Sequence, residues 1–74
     1  MLTPDRIILY DDFLDPAEIT YVARAVVNGD EVDIGRIVNP RETNEWNARD
    51  GTGLHRQTFS TLPEAVAWLC ERYG

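Results

Sequence analysis

The apolar positions of this chain keep their firmest helical period near the C-terminus. Leu62, Ala65, Val66, Leu69, Cys70 and Tyr73 recur at i, i+3, i+4 and i+7, the spacing of one buried face. Thr61 supplies an N-cap, Glu64 completes a capping box, and Pro63 stands in the first turn, where a missing N–H is harmless. Gly74 follows as a terminator that accepts positive φ. The pattern predicts a helix over 62–73. Just upstream the period is two. Trp46 and Ala48 alternate with Asn47 and Arg49, and a β-prone run ends at Phe59. Strands over 45–49 and 54–59 are expected on either side of the turn at Asp50-Gly51-Thr52-Gly53.

Residues 19–38 admit two readings. In the first they form a β-hairpin, because Asn28-Gly29 suits a type I′ turn and Ile19 to Val27 is rich in β-branched and aromatic residues. A two-residue turn then places Arg24 opposite Asp33, a favourable cross-strand pair, with Ala25 and Ala23 facing Val32 and Ile34. In the second, residues 16–27 form a first helix. Asp15 would cap it, Pro16 would start it, Glu18 would close the box, Leu14 and Ile19 would staple it, Ile19, Val22, Ala23 and Val26 would form its apolar stripe, and Gly29 would end it. We favour the hairpin. Met1 to Asp5 reads as an irregular start, Arg6 to Tyr10 as a short β-prone run, Asp11 to Pro16 as a turn, and Asn39 to Glu45 as a polar loop. The fold class is therefore α+β: an antiparallel meander with one C-terminal helix packed across a face, in a single domain over 1–74. The alternative order is β-α-β-β-β-α.

Opposite sheet faces then separate. Trp46, Ala48 and Phe59 would pack on Leu62, Val66 and Leu69. The reverse face would show Asn47, Arg49, His55 and Gln57, with Arg36 from the preceding strand.

Charge changes the picture more than composition does. The net charge is −6, and lysine is absent. Residues 1–33 hold eight acids against Arg6 and Arg24, whereas residues 34–74 hold five acids and five arginines. The anionic half repels phosphate backbones and attracts basic partners, although it also serves solubility. An apolar share of 43% fits a folded chain. The single cysteine excludes an internal disulfide and fits a reducing, cytoplasmic setting. No apolar run reaches the ~18 residues of a membrane span, and the start lacks the basic and apolar regions of a signal peptide.

Trp46-x-Ala48-Arg49, a glycine turn, Arg56-Gln57-Thr58-Phe59-x-Thr61 and Glu64-Ala65-x-x-Trp68-Leu69 together resemble AP2-like domains, which include the arm-type N-terminal domains of tyrosine recombinases. The resemblance covers residues 46–69. It implies a three-stranded antiparallel sheet on one helix, with the outer sheet face entering the DNA major groove. On that implication Arg36, Asn47, Arg49, His55, Arg56 and Gln57 would read bases or phosphates, since arginine pairs with guanine, and asparagine or glutamine with adenine.

Chemistry-bearing residues are sparse. His55 and Cys70 are each unique, and their positions do not suggest a nucleophile–base pair. Paired CxxC and HExxH motifs are absent, and Asn28 to Asp33 lacks the spacing of a calcium loop. No catalytic residue, metal or cofactor is expected, and enzymatic activity is the least expected class. Trp68, off the helical stripe between Glu64 and Arg72, is a candidate contact residue, together with the acids Asp30, Glu31 and Asp33.

The leading expectation is a small acidic, non-enzymatic protein-binding module. It would be a regulator or inhibitor of the kind phages and mobile elements carry, nucleic-acid mimicry included, with a basic protein or nucleic-acid enzyme as partner. The alternative is a DNA-binding protein that works through its outer sheet face, disfavoured by the charge balance. A homodimer built on Trp68 is the third expectation.

Overall fold

The computed structural model describes residues 3–12, 17–41 and 43–73. A single 3-10 turn at Pro4–Arg6 leads into β1 (Ile7–Asp12). Then follow β2 (Glu18–Val27), β3 (Asp30–Pro40), β4 (Trp46–Asp50), β5 (Arg56–Phe59) and the helix α1 (Leu62–Tyr73). Each strand pairs antiparallel with its sequence neighbour, so the sheet is a five-stranded open meander in the order β1-β2-β3-β4-β5. The α+β class and the C-terminal helix are as expected.

Of the two readings of residues 19–38, the hairpin is the one that forms. Asn28 and Gly29 have φ of 51° and 83°, both positive as a type I′ turn requires. Arg24 lies opposite Asp33 and Ala25 opposite Val32. The helix over 16–27 is overturned: Glu18–Val27 is extended and pairs with β1 on one side and β3 on the other. Two rows of interstrand hydrogen bonds outweigh a local i, i+4 pattern. Its supposed cap, Asp15 and Pro16, and its staple residue Leu14 lie outside the described residues, as does Gly74. The hairpin is also longer than 19–38. Asp11 and Asp12 belong to β1 rather than to a turn, while Leu54 and His55 belong to the β4–β5 loop rather than to β5.

One register expectation fails. Ala23 pairs with Gly35, not Ile34, because the register shifts between Ala23 and Arg24. Ile34 is the extra residue of a β-bulge. Ile34 and Ile37 are three apart and would face opposite sides of a regular strand, yet the bulge buries both, at 2% and 0% exposure. The Asp33 carboxylate accepts the Gly35 N–H at 3.0 Å, so the distorted backbone keeps that donor satisfied. Gly35 itself has φ of 149°. A Cβ there would stand 2.2 Å from the Arg49 carbonyl oxygen and 2.8 Å from Leu69 Cδ2. The helix and β4 therefore close on the sheet at a point that only glycine allows.

Helix α1 packs against β3, β4, β5 and the Pro4–Arg6 turn. Its buried face is Ala65, Val66, Leu69 and Cys70, with Leu62 partly buried; Tyr73 departs from the expected stripe and is exposed. Thr61 and Glu64 form the capping pair. The Thr61 hydroxyl accepts the Glu64 N–H at 3.4 Å and donates to the Glu64 carboxylate at 2.9 Å, and Ser60 adds a second donor at 3.3 Å. Beneath the helix lie Ala23, Ala25, Ile34, Ile37 and Ala48, with Trp46 and Phe59 packed at the rim. A ladder of contacts fastens α1 to β4 and β5. Phe59 meets Trp68 with ring centroids 6.1 Å apart, the Arg72 guanidinium lies 5.9 Å over the Trp68 ring, and Arg72 reaches Asp50 at 3.8 Å. Asn39, 4% exposed, ties down the β3–β4 loop by donating to the carbonyls of Thr43 (3.2 Å) and Glu45 (2.7 Å).

Candidate functional site

The helix lies on one side of the sheet, and the side chains that alternate away from it form an uncovered outer face. Register decides which residues meet there. Directly paired residues in an antiparallel sheet share a face. Val22 pairs with Arg36, Arg36 with Arg49, and Arg49 with Arg56, so three arginines of three adjacent strands stand in one row. The next row runs Thr20, Val38, Asn47 and Thr58, with Asp12 at its β1 end. Adjacent strands are about 4.8 Å apart, so the arginine row spans about 10 Å.

These rows border a groove of about 820 Å³ whose lining includes Glu18, Arg36, Asn47, Arg49, Arg56 and Thr58. Arg36 has a counter-charge in Asp12, at 3.6 Å. Arg49 and Arg56 are exposed and have no ion-pair partner among the described residues. Like charges directly opposite on neighbouring strands cost stability. Thr58 donates to the Asn47 carbonyl oxygen at 2.5 Å, which uses the acceptor of that amide and leaves its two N–H donors without a partner among the described residues.

The other end of the same face is anionic. The Tyr10 hydroxyl donates to Glu31 at 2.6 Å, and the Arg24 guanidinium lies 5.8 Å over the Tyr10 ring. That hydrogen bond to a carboxylate pushes the Tyr10 phenol above its usual pKa. Tyr10, Val22, Arg24 and Glu31 line a smaller hollow here. Asp33 supports the bulge, while Asp30, exposed beside the hairpin turn, pairs with Val27 in the phase of Ala25 and so borders the face at its edge. The face is thus split: acids on β1, β2 and the hairpin end of β3, and arginines across the middle of β3 and on β4 and β5.

The residues expected on this face are only partly gathered there. Arg36, Asn47, Arg49 and Arg56 meet. Gln57 pairs with Ala48, in phase with the inward-turned Phe59, yet it is exposed and borders the same groove. His55 is exposed in the β4–β5 loop, where its carbonyl accepts the Asp50 N–H at 3.0 Å. Thr58, Thr20 and Glu18 join the groove without having been singled out. The parity of Phe59 already placed Arg56 and Thr58 outward, two and four residues from the Leu54 at which the strand was expected to begin. In the same loop Asp50 accepts from the Thr52 hydroxyl at 2.7 Å and the Thr52 N–H at 3.2 Å, and the hydroxyl bond leads in lowering its pKa.

Trp68 is half-buried on Phe59 at the β5 rim of the core, on the helix side of the sheet. Cys70, 5% exposed, sits under the helix, and burial pushes its thiol pKa up, which disfavours the reactive thiolate. Among the described residues no three of His, Cys, Asp and Glu cluster as metal ligands, and no helix is long and apolar enough to cross a membrane. No family model, curated protein or solved structure matches the chain.

Proposed function

We propose that the chain is a non-enzymatic protein-binding module, acting in the cytoplasm as a regulator or inhibitor, and that its contact surface is the uncovered sheet face. The observation that carries this reading is the charge split of that face. Glu31 and Asp33 stand at the hairpin end of β3, Asp12 and Glu18 stand at the opposite end of β1 and β2 beside the arginines, and a protein surface with basic groups placed to meet them gains both association rate and register. The face also shows partly exposed apolar side chains among the charges, such as Ile8 and Tyr10, as contact surfaces do.

The test is retention of partners on the immobilised chain at low salt, comparing wild type with Asp30→Lys plus Glu31→Lys. The reading expects a basic protein to be retained by wild type and lost with the variant. Retention that ignores the reversal would sink it. Asp33 is left intact because its carboxylate holds the bulge.

A second reading, DNA binding through β3, β4 and β5, is favoured by the arginine row and Asn47. It expects duplex binding that falls steeply with salt and disappears with Arg49→Ala plus Arg56→Ala. A flat mobility-shift titration at low salt would eliminate it.

A further inference from the structure

We infer that the arginine row of Arg36, Arg49 and Arg56 is a second, oppositely charged docking site that takes a short acidic segment of a protein. The inference rests on the reading of the outer face as a protein contact surface and adds the chemistry of what lies on its cationic half.

Three features of the row support it. Two of its three guanidiniums lack a counter-charge among the described residues, although neighbouring strands hold them in direct opposition. A ligand carboxylate between them would remove that repulsion and accept paired N–H bonds from each planar group. The row spans about 10 Å, close to the length over which alternate residues of an extended segment present two or three side chains to one side. Beside it, the free N–H donors of Asn47 offer a further bond to a carboxylate or a backbone carbonyl.

The boundaries of the row favour a short protein segment over a nucleic acid. Asp12 and Glu18 stand beside the row on the same face, and Glu31 and Asp33 lie beyond. A phosphate backbone crossing the row would continue onto those carboxylates. Three arginines neutralise at most about three phosphates, which is little against a net charge of −6. An acidic run of a few residues ends where the acids begin, and basic residues flanking it meet them.

The experiment uses two labelled peptides of identical composition and fluorescence anisotropy at low salt. One has a glutamate run flanked by lysines, the other a lysine run flanked by glutamates. A labelled DNA duplex is the third probe. The proteins are wild type, Arg49→Gln plus Arg56→Gln, and Asp30→Asn plus Glu31→Gln. All four substituted side chains are exposed, and circular dichroism verifies folding. The acid-centred peptide is expected to bind about tenfold more tightly than the base-centred one, the sum of two or three partly solvated ion pairs. That preference disappears in the arginine variant and survives in the acid variant. If the base-centred peptide binds better and only the acid variant loses it, the inference fails while the protein-contact reading stands. If the duplex binds more tightly than either peptide and the arginine variant loses it, both give way to the DNA reading. Equal or absent binding of the two peptides also overturns the inference.

Discussion

On the helix side of the sheet Ala23, Ala25, Ile37 and Ala48 are completely enclosed, while their chain neighbours Arg24, Arg36 and Arg49 stand in solvent on the other side. The two faces share one backbone and differ only in side-chain parity. The inner face is packed by small alanines under a helix, with larger residues where the bulge and the rim leave room. The outer face carries charged and long side chains over the same strands. Stability therefore belongs to one face, recognition is proposed for the other, and substitutions should separate them.

The largest effect is expected at the point where the inner face is tightest. Gly35→Ala forces a Cβ into the Arg49 carbonyl and the Leu69 side chain, and should cost about 4 kcal/mol or more, enough to unfold much of a domain this small. Urea denaturation measures it, and a near-wild-type midpoint would mean that the bulge is not a close-packed point. Leu69→Ala removes a fully buried side chain and should cost about 2–5 kcal/mol in the same assay. Asn39→Ala strands two loop carbonyls and should cost about 1–3 kcal/mol, with faster amide exchange confined at first to residues 43–45.

The pH profile gives smaller effects of known sign. Tyr10 and Cys70 have raised pKa values, so the stability they contribute is complete below their ordinary values and is lost as the pH rises through the folded ones. Asp50 is lowered, so its contribution is present above the ordinary carboxylate value and is lost as the pH falls through the folded one. The melting temperature should be level near neutrality and fall on both sides. Tyr10→Phe should weaken the alkaline fall and leave the acid fall intact. At the end of the scale, Arg49→Gln plus Arg56→Gln should change stability by less than about 0.5 kcal/mol, slightly upward if anything, since it relieves like-charge opposition. A loss above 1 kcal/mol would mean that the row belongs to the fold rather than to a partner.

The same division explains what could be read from the chain. Helix α1 and the Asn28-Gly29 turn are local signals, written in adjacent residues, and both are where they were expected. The sheet side of Trp46, Ala48 and Phe59 follows from period two. The bulge at Ile34 was not legible; beside it Gly35 lies close to Leu69 and β4, contacts distant in sequence. Its consequence, the pairing of Ala23 with Gly35, could not be counted from the turn. The arginine row is a matter of register across three strands: each arginine was visible, but their alignment depends on the lengths of two loops. Gln57 was expected on the face opposite Phe59, although residues two apart in a strand share a phase; it borders the groove all the same.

The central claim is that partners meet the uncovered face at its arginine row. The most direct measurement follows the side-chain Nε–H signals of the arginines by NMR while the acid-centred peptide is added. Arg72, tied to Asp50 and Trp68 on the helix side, serves as the internal control. The account predicts that Arg36, Arg49 and Arg56 shift together and saturate with one affinity while Arg72 stays still. Shifts centred on Arg72 and helix α1, with the row unmoved, would contradict it.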